Sequence, residues 1–235
     1  MKLLSIDTSG PVCGVAVLGD QGMLYEAMAQ NKLTHSVNLM PMIDTALSAS
    51  GLTLDAMDRI AVVTGPGSFT GVRIGVSTAK GLAHGAGKPC VAVDALEAMA
   101  HGAGTFDGVI CPIQDARAGQ VYGAAFTGDA EHARLLPDEP LKLEEFTVKL
   151  QGLGSRFLFV GDGMPVHRVR LTALLGDAAV MAPPHLSYLR PGAVAYLGML
   201  ATEEVDYLAL MPMYLRAPSA ERNRQLVEAA AHGRV

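Results

Sequence analysis

The residues with the most chemical promise lie between positions 59 and 94. Gly65, Gly67 and Gly71 form G-x-G-x-x-x-G after the apolar run Ile60-Ala-Val-Val63 and ahead of a helix-like stretch. A glycine-rich turn at such a place can bring backbone N–H groups to a phosphate. Asp94, ending the next apolar run, stands where an acid would hold a ribose hydroxyl. The pattern is one residue longer than the dinucleotide fingerprint, however, and Pro66 takes an N–H out of the turn itself. Val72, not Lys, follows Gly71, so there is no Walker lysine. A nucleotide- or dinucleotide-binding enzyme built on the 65–71 turn is therefore the second reading.

Asp7, Asp115 and Asp162 form another set. Each follows an apolar run and enters a turn, with Ser9 close behind the first. Together they could flank a phosphate–metal cleft between two lobes; singly, such residues cap turns. The seven histidines contain no H-x-x-x-H pair, and Cys13, Cys90 and Cys111 are far apart, so local spacing builds no metal site. There is no G-x-S-x-G nucleophile elbow, because Thr70 stands where its second glycine would be.

The elements that must position these groups follow from periodicity. A short strand ending in a polar turn over Leu3–Gly10, a Gly14–Leu18 run and a 23–27 run, the last two separated by Gly-Asp-Gln-Gly, predict an antiparallel meander. His35–Ala49 predicts a helix with apolar residues on two faces, Val37, Met40, Ile43 and Leu47 on one and Leu39, Met42 and Ala46 on the other, with Pro41 inside. Strand, helix and strand then follow across 60–93, the unit of a parallel sheet. In the middle helix Gly71, Gly75 and Ala79 recur at i, i+4, i+8, and Ser77, Gly81 and Gly85 make a second small row. Each glycine costs about 1 kcal/mol relative to alanine in a helix, so some other backbone must come close: this helix's own sheet, or a second chain.

After a Gly-rich break near 102–108 the pattern repeats. Val109 to Arg117 echoes Leu3 to Ser9, a hairpin follows, then a helix near Leu143–Leu150 and the strand Phe157–Val160. The sequence predicts an α/β duplicated fold: residues 1–105 as one lobe and 106–215 as the other, with the last helix, about 192–204, packing back on the first lobe. A short strand is expected at 212–216, and a loosely docked tail over 216–235. The chain has 235 residues, half of them apolar, a net charge of −5 and no Trp. It is a poor stand-alone binder of nucleic acid. Three widely spaced cysteines in apolar runs predict buried thiols in a cytoplasmic protein, and no apolar span is long enough to suggest a membrane segment.

A family resemblance rests on Ile6-Asp-Thr-Ser9, Thr34-His-Ser36 with Leu39, Pro41 and Ile43, Thr64-Gly-Pro-Gly-Ser-Phe-Thr-Gly-Val-Arg-Ile-Gly75, Ala79-Lys-Gly-Leu82, Lys88-Pro89 and Tyr214-Leu-Arg216. Together these resemble the bacterial TsaB family of tRNA threonylcarbamoyladenosine biosynthesis proteins. The resemblance implies a two-lobed actin/hexokinase/Hsp70-like (ribonuclease H-like) fold and a scaffold that pairs with a catalytic relative, TsaD. A TsaE-like ATPase would complete the assembly, with tRNA met only through the complex. It implies no cofactor of the chain's own, ATP or ADP being held in the complex; the apolar face of the two helices, left uncovered in water, predicts a homodimer when the chain is alone. The catalytic relative carries Asn-His-Leu-Glu-Gly-His where this chain has Asp94-Ala-Leu-Glu-Ala-Met99. Ala95 and Met99 thus replace its two histidine ligands, and neither is a good ligand for a hard or borderline ion. The expected partner face is His35, Leu39, Met42, Ala46, Gly71, Arg73, Gly75 and Ala79. Asp7, Ser9, Asp115 and Asp162 would line a vestigial nucleotide cleft.

Overall fold

The computed structural model describes residues 1–31 and 33–216; the tail expected beyond Arg216 lies outside these. The first lobe runs β1 (Leu3–Asp7), β2 (Cys13–Gly19), β3 (Gly22–Ala29), α1 (His35–Ala49), β4 (Arg59–Gly65), α2 (Phe69–Ala86), β5 (Cys90–Asp94) and α3 (Ala95–Ala103). Its sheet has the order β3-β2-β1-β4-β5, antiparallel through β3, β2 and β1 and parallel from β1 to β5. The second lobe runs β6 (Val109–Asp115), β7 (Gln120–Thr127), β8 (Arg134–Lys142), α4 (Leu143–Leu150), β9 (Phe157–Val160), α5 (Gly163–Leu175), β10 (Ala179–Met181) and α6 (Pro191–Leu200). Its sheet, β8-β7-β6-β9-β10, repeats the same order and the same strand directions. The duplication extends to side chains. Asp7 accepts from the N–H of Ser9 (2.8 Å) and Asp115 from that of Arg117 (3.1 Å), so both first hairpins open on the same Asx turn.

The period of two along β1 divides the core. Leu4 and Ile6 face α1 and α2, meeting Leu39, Ile43, Val72 and Val76. Leu3 faces the other way, into a cluster that joins α3 and α6 to Ile110, Phe126 and Leu158 of the second sheet. Helices α3 and α6 therefore belong to a layer shared by both lobes, while α4 and α5 cover the second sheet's outer face around Phe146 and Phe159.

Four elements differ from the sequence expectation, one of them strand β10, which has no counterpart in it. Helix α6 stops at Leu200, because Arg59 donates to the carbonyls of Gly198 (3.2 Å) and Ala201 (2.9 Å) and closes its C-terminus there. Helix α5 was not predicted. Residues 212–216 form no strand. They end a segment that crosses back over the first lobe: Val205 and Cys90 exchange backbone hydrogen bonds (2.9 Å each), Lys80 reaches the carbonyls of Leu208 and Leu210, and Leu210 is buried in the α1–α2 core. The N–H of Met213 then donates to Thr64 O at 2.7 Å, and Arg216 reaches Ala116 O of the second lobe at 3.3 Å. One strap thus touches both halves.

Candidate functional site

Two regions collect the candidate residues. The first is the two-helix layer. Ser68 caps α2, its hydroxyl accepting from the N–H of Gly71, and Gly87 ends the helix in the left-handed conformation. The row Gly71, Gly75, Ala79 turns inward. A Cβ on Gly71 would lie 2.1 Å from Thr8 O, one on Gly75 would lie 2.5 Å from Thr8 Oγ1, and Ala79 is fully buried. The backbone that comes close is therefore the chain's own β1 turn, and these three are corrected from partner face to internal packing. The same correction applies to α1. Leu39, Ile43 and Ala46 are its buried residues and Met42 packs beside them, because that stripe covers the meander. The outward row of α1 is instead marked by Val37 (56 % exposed) and Met40 (42 %). On α2 the open row is Ser77, Gly81 and Gly85, all exposed, with nothing within 4 Å of a Cβ on either glycine. Arg73 is exposed, stacks over Phe69 and donates to Tyr214 Oη at 2.7 Å. His35 is half-buried, its Nε2 lying 3.0 Å from Gly10 O, which ties α1 to the first hairpin.

The second region is a cleft of about 650 Å³ between the lobes. One wall is the first hairpin, Ser9 and Gly10, together with Gly67 to Thr70 at the start of α2. The opposite wall is Gln114, Asp115, Arg117 and Asp162, and the strap passes over the mouth as Met213 to Arg216. Ser9, Asp115 and Asp162 are thus brought together, and Asp7 and Asp162 meet again at the inner end beside Met99. Burial pushes the Asp7 carboxyl up to about 6, against the bonds from Ser9 and the charge of His35. Burial likewise raises Asp162 to about 7, with Asp115 and Asp7 adding like charge.

A carboxyl raised on folding takes up its proton more readily in the folded than in the unfolded chain. Its ionisation weakens the fold as pH climbs from about 4 through about 7. Asp162→Asn removes that cost. Melting curves should show the variant more stable than the parent by about 2–4 kcal/mol near pH 8, with the gap closing near pH 4. Equal melting at both pH values would show that Asp162 is well solvated.

Gln114 and His167 were not among the sequence candidates. Gln114 is 3 % exposed at the cleft floor, and its Oε1 has no hydrogen-bond partner among the described residues. His167, from α5, lies behind Asp115 with Nε2 3.4 Å from Asp115 Oδ1. Gln114, paired with Tyr122, faces the layer shared by the two lobes, as Asp7, paired with Gly14, does in the first sheet.

The dinucleotide alternative does not survive the geometry. A Cβ on Gly65 would lie 2.4 Å from Met213 O, so that glycine makes room for the strap, as Gly71 does for Thr8. Asp94 accepts from the N–H of Glu97 (2.7 Å) to cap α3, and it faces Arg134 at 3.6 Å; it does not line the cleft. Ala95 is fully buried in the shared core, with Met99 one turn on. Cys13, Cys90 and Cys111 are buried free thiols. Among the described residues no helix is long and apolar enough to cross a membrane.

Two repeated lobes with this strand order, closing on a cleft, define a duplicated α/β fold of the actin/hexokinase type. Comparison with known proteins gives the family. The model for the family of tRNA N6-adenosine threonylcarbamoyltransferase, TsaD, matches residues 28–223. The tRNA threonylcarbamoyladenosine biosynthesis protein TsaB of Bacillus subtilis is 35 % identical over 224 residues, 94 % of this chain and 96 % of that protein. The TsaB of Escherichia coli is 36 % identical over 168 residues, covering 69 % and 72 %. YeaZ from Pseudomonas aeruginosa superposes with a TM-score of 0.76 at 26 % identity, covering 91 % of this chain and 99 % of that one. The chain belongs to the TsaB family.

Proposed function

We propose that this chain is a non-catalytic scaffold subunit in tRNA threonylcarbamoyladenosine biosynthesis, pairing with a TsaD-like catalytic subunit through the outward face of α1 and α2. In this reading the partner and a TsaE-like ATPase carry the chemistry. They place threonylcarbamoyl on the adenosine 3′ of the anticodon in tRNAs reading A-starting codons, and tRNA is met through the complex. The family membership supports the pathway. The observation that carries the pairing is the open row Ser77, Gly81 and Gly85. It has unfilled space above it and lies on the same layer as exposed Val37 and Met40. A glycine kept on an exposed helix surface costs helix stability, and close backbone approach by a second helix would offset that cost. The same face would pair two copies when the partner is absent. Ala95 and Met99, which replace the relative's ligands, support a subunit without turnover of its own.

Gly81→Leu is the test. Its side chain enters open space, so the isolated chain should still fold and melt cooperatively, while co-purification with the catalytic subunit and stimulation of tRNA modification in a reconstituted system should both be lost. Full stimulation by Gly81→Leu would remove α2 from the interface. Modification that proceeds equally well without this chain would remove the scaffold role.

A further inference from the structure

The cleft between the lobes is lined, on its inner side, by groups that accept hydrogen bonds. Asp162 Oδ1 and Gln114 Oε1 are both buried and have no hydrogen-bond partner among the described residues. Asp115 stands beside them on the same wall, and Asp7 lies at the inner end with Asp162. Leaving such acceptors buried and unpaired is costly, and Gln114 is the more telling, since it lies within a strand, where no turn or cap requires an amide. The two arginines of the cleft, Arg117 and Arg216, lie at its rim, and the Asp115 and Asp162 carboxyls on the inner side disfavour a phosphate chain there. Nor do they suit a point ion: among the described residues no three His, Cys, Asp or Glu side chains are grouped to hold a metal. What fits is a positive group whose N–H donors reach several separated acceptors at once.

We propose that the interlobe cleft binds a small organic cation, an ammonium or guanidinium compound, whose N–H groups donate to Asp162 and Gln114 with Asp115 supplying charge. The strap favours a small ligand over a protein segment. Met213 to Arg216 cross the mouth, and Arg216 is tied to Ala116 O of the far lobe, which leaves the cavity's volume but narrows its entrance. Arg117 and Arg216 at the rim would repel the cation from the mouth and favour its charge at the floor, among the carboxylates. This ligand is independent of the pairing face on α1 and α2, so either assignment can fail without the other.

Agmatine, which carries both a guanidinium and an ammonium, is a suitable probe with the full-length chain. Isothermal titration at about pH 8 and low salt, where surface screening is weak, should show saturable one-to-one binding. Asp162→Asn and Gln114→Leu should each weaken it about tenfold or more, since each removes an acceptor from a charged donor. Both variants are first checked for cooperative melting. Asp162→Asn is expected to fold at least as well as the parent, so it keeps the test open if Gln114→Leu does not fold. The magnesium complex of ATP, titrated in parallel, should not saturate. Failure of agmatine to saturate at about 10 mM, a concentration that would register even millimolar affinity, overturns the proposal. So does binding that Asp162→Asn leaves unchanged, which would be attraction to the acidic surface at large, and so does saturable binding of the nucleotide in place of agmatine.

Discussion

Gly71→Ala should cost the fold about 3 kcal/mol or more, although alanine is the better helix former by about 1 kcal/mol. The added methyl would meet Thr8 O at 2.1 Å, and that oxygen is backbone. To make room, the turn after β1 must lift away from α2. That breaks the bond from Thr8 Oγ1 to Gly71 O (2.7 Å) and disturbs the bond from Ser68 N–H to Ser9 O (2.7 Å). Gly75→Leu should be worse, since its Cβ alone would reach Thr8 Oγ1 and the rest of the side chain would enter the space between Ile6 and Val62. Urea denaturation of the purified variants measures both. Unchanged midpoints would mean that the row does not pack on β1. The contrast with Gly81→Leu matters: glycines on one helix, about three turns apart at most, are expected to fail in opposite ways, one by unfolding and one by losing a partner.

Arg134→Ala should be the most damaging change outside the glycine rows. The guanidinium bonds Asp138, pairs with Glu97 at 3.2 Å and with Asp94 at 3.6 Å, and lies over the Phe126 ring at 4.6 Å. It thus fastens β8 of the second lobe to the start of α3 in the first. Burial, and then the neighbouring Asp138, hold the Asp94 carboxyl well above the usual range, while Arg134 pulls it back. Without the arginine, two largely buried carboxyls face one another with no cation between them, a loss of about 2–4 kcal/mol once both are ionised, above about pH 8. The sign of the pH dependence is fixed by the same geometry. Burial lifts the Asp94 carboxyl to about 8, and a proton on it relieves the repulsion, so the deficit should be small at pH 6 and grow as pH rises towards 9. Thermal melts at the two pH values check this, and a deficit that is flat with pH would show that packing on Phe126, not charge, is what Arg134 supplies.

How far the sequence could be read depended on what each pattern physically encodes. Helices α1 and α4 and strand β9 have the predicted bounds because their apolar spacing and their stops are unambiguous. Helix α5 carried no such pattern. Val166 and Val169 face solvent, Pro165 sits in its first turn, and only Gly163, Met164, His167 and Leu171 are buried. The small rows of α2 were visible, but periodicity states only that some backbone approaches, not whose; Thr8, more than sixty positions earlier, decides it. The three aspartates could be placed by their strand ends. Gln114 and His167 could not, the first hidden in an apolar run and the second on the unpredicted helix.

The strap also bears on the order in which the molecule is made. The open edge of β5 acquires its partner only when Val205 exists, and the α1–α2 core gains Leu210 later still. A nascent chain emerging from the ribosome therefore carries an incomplete first lobe, with Cys90 unpaired and an apolar slot exposed, until residues 205–210 have been made. The first lobe thus receives its last contacts from chain made after the whole of the second, however plainly the repeat suggests two separate halves.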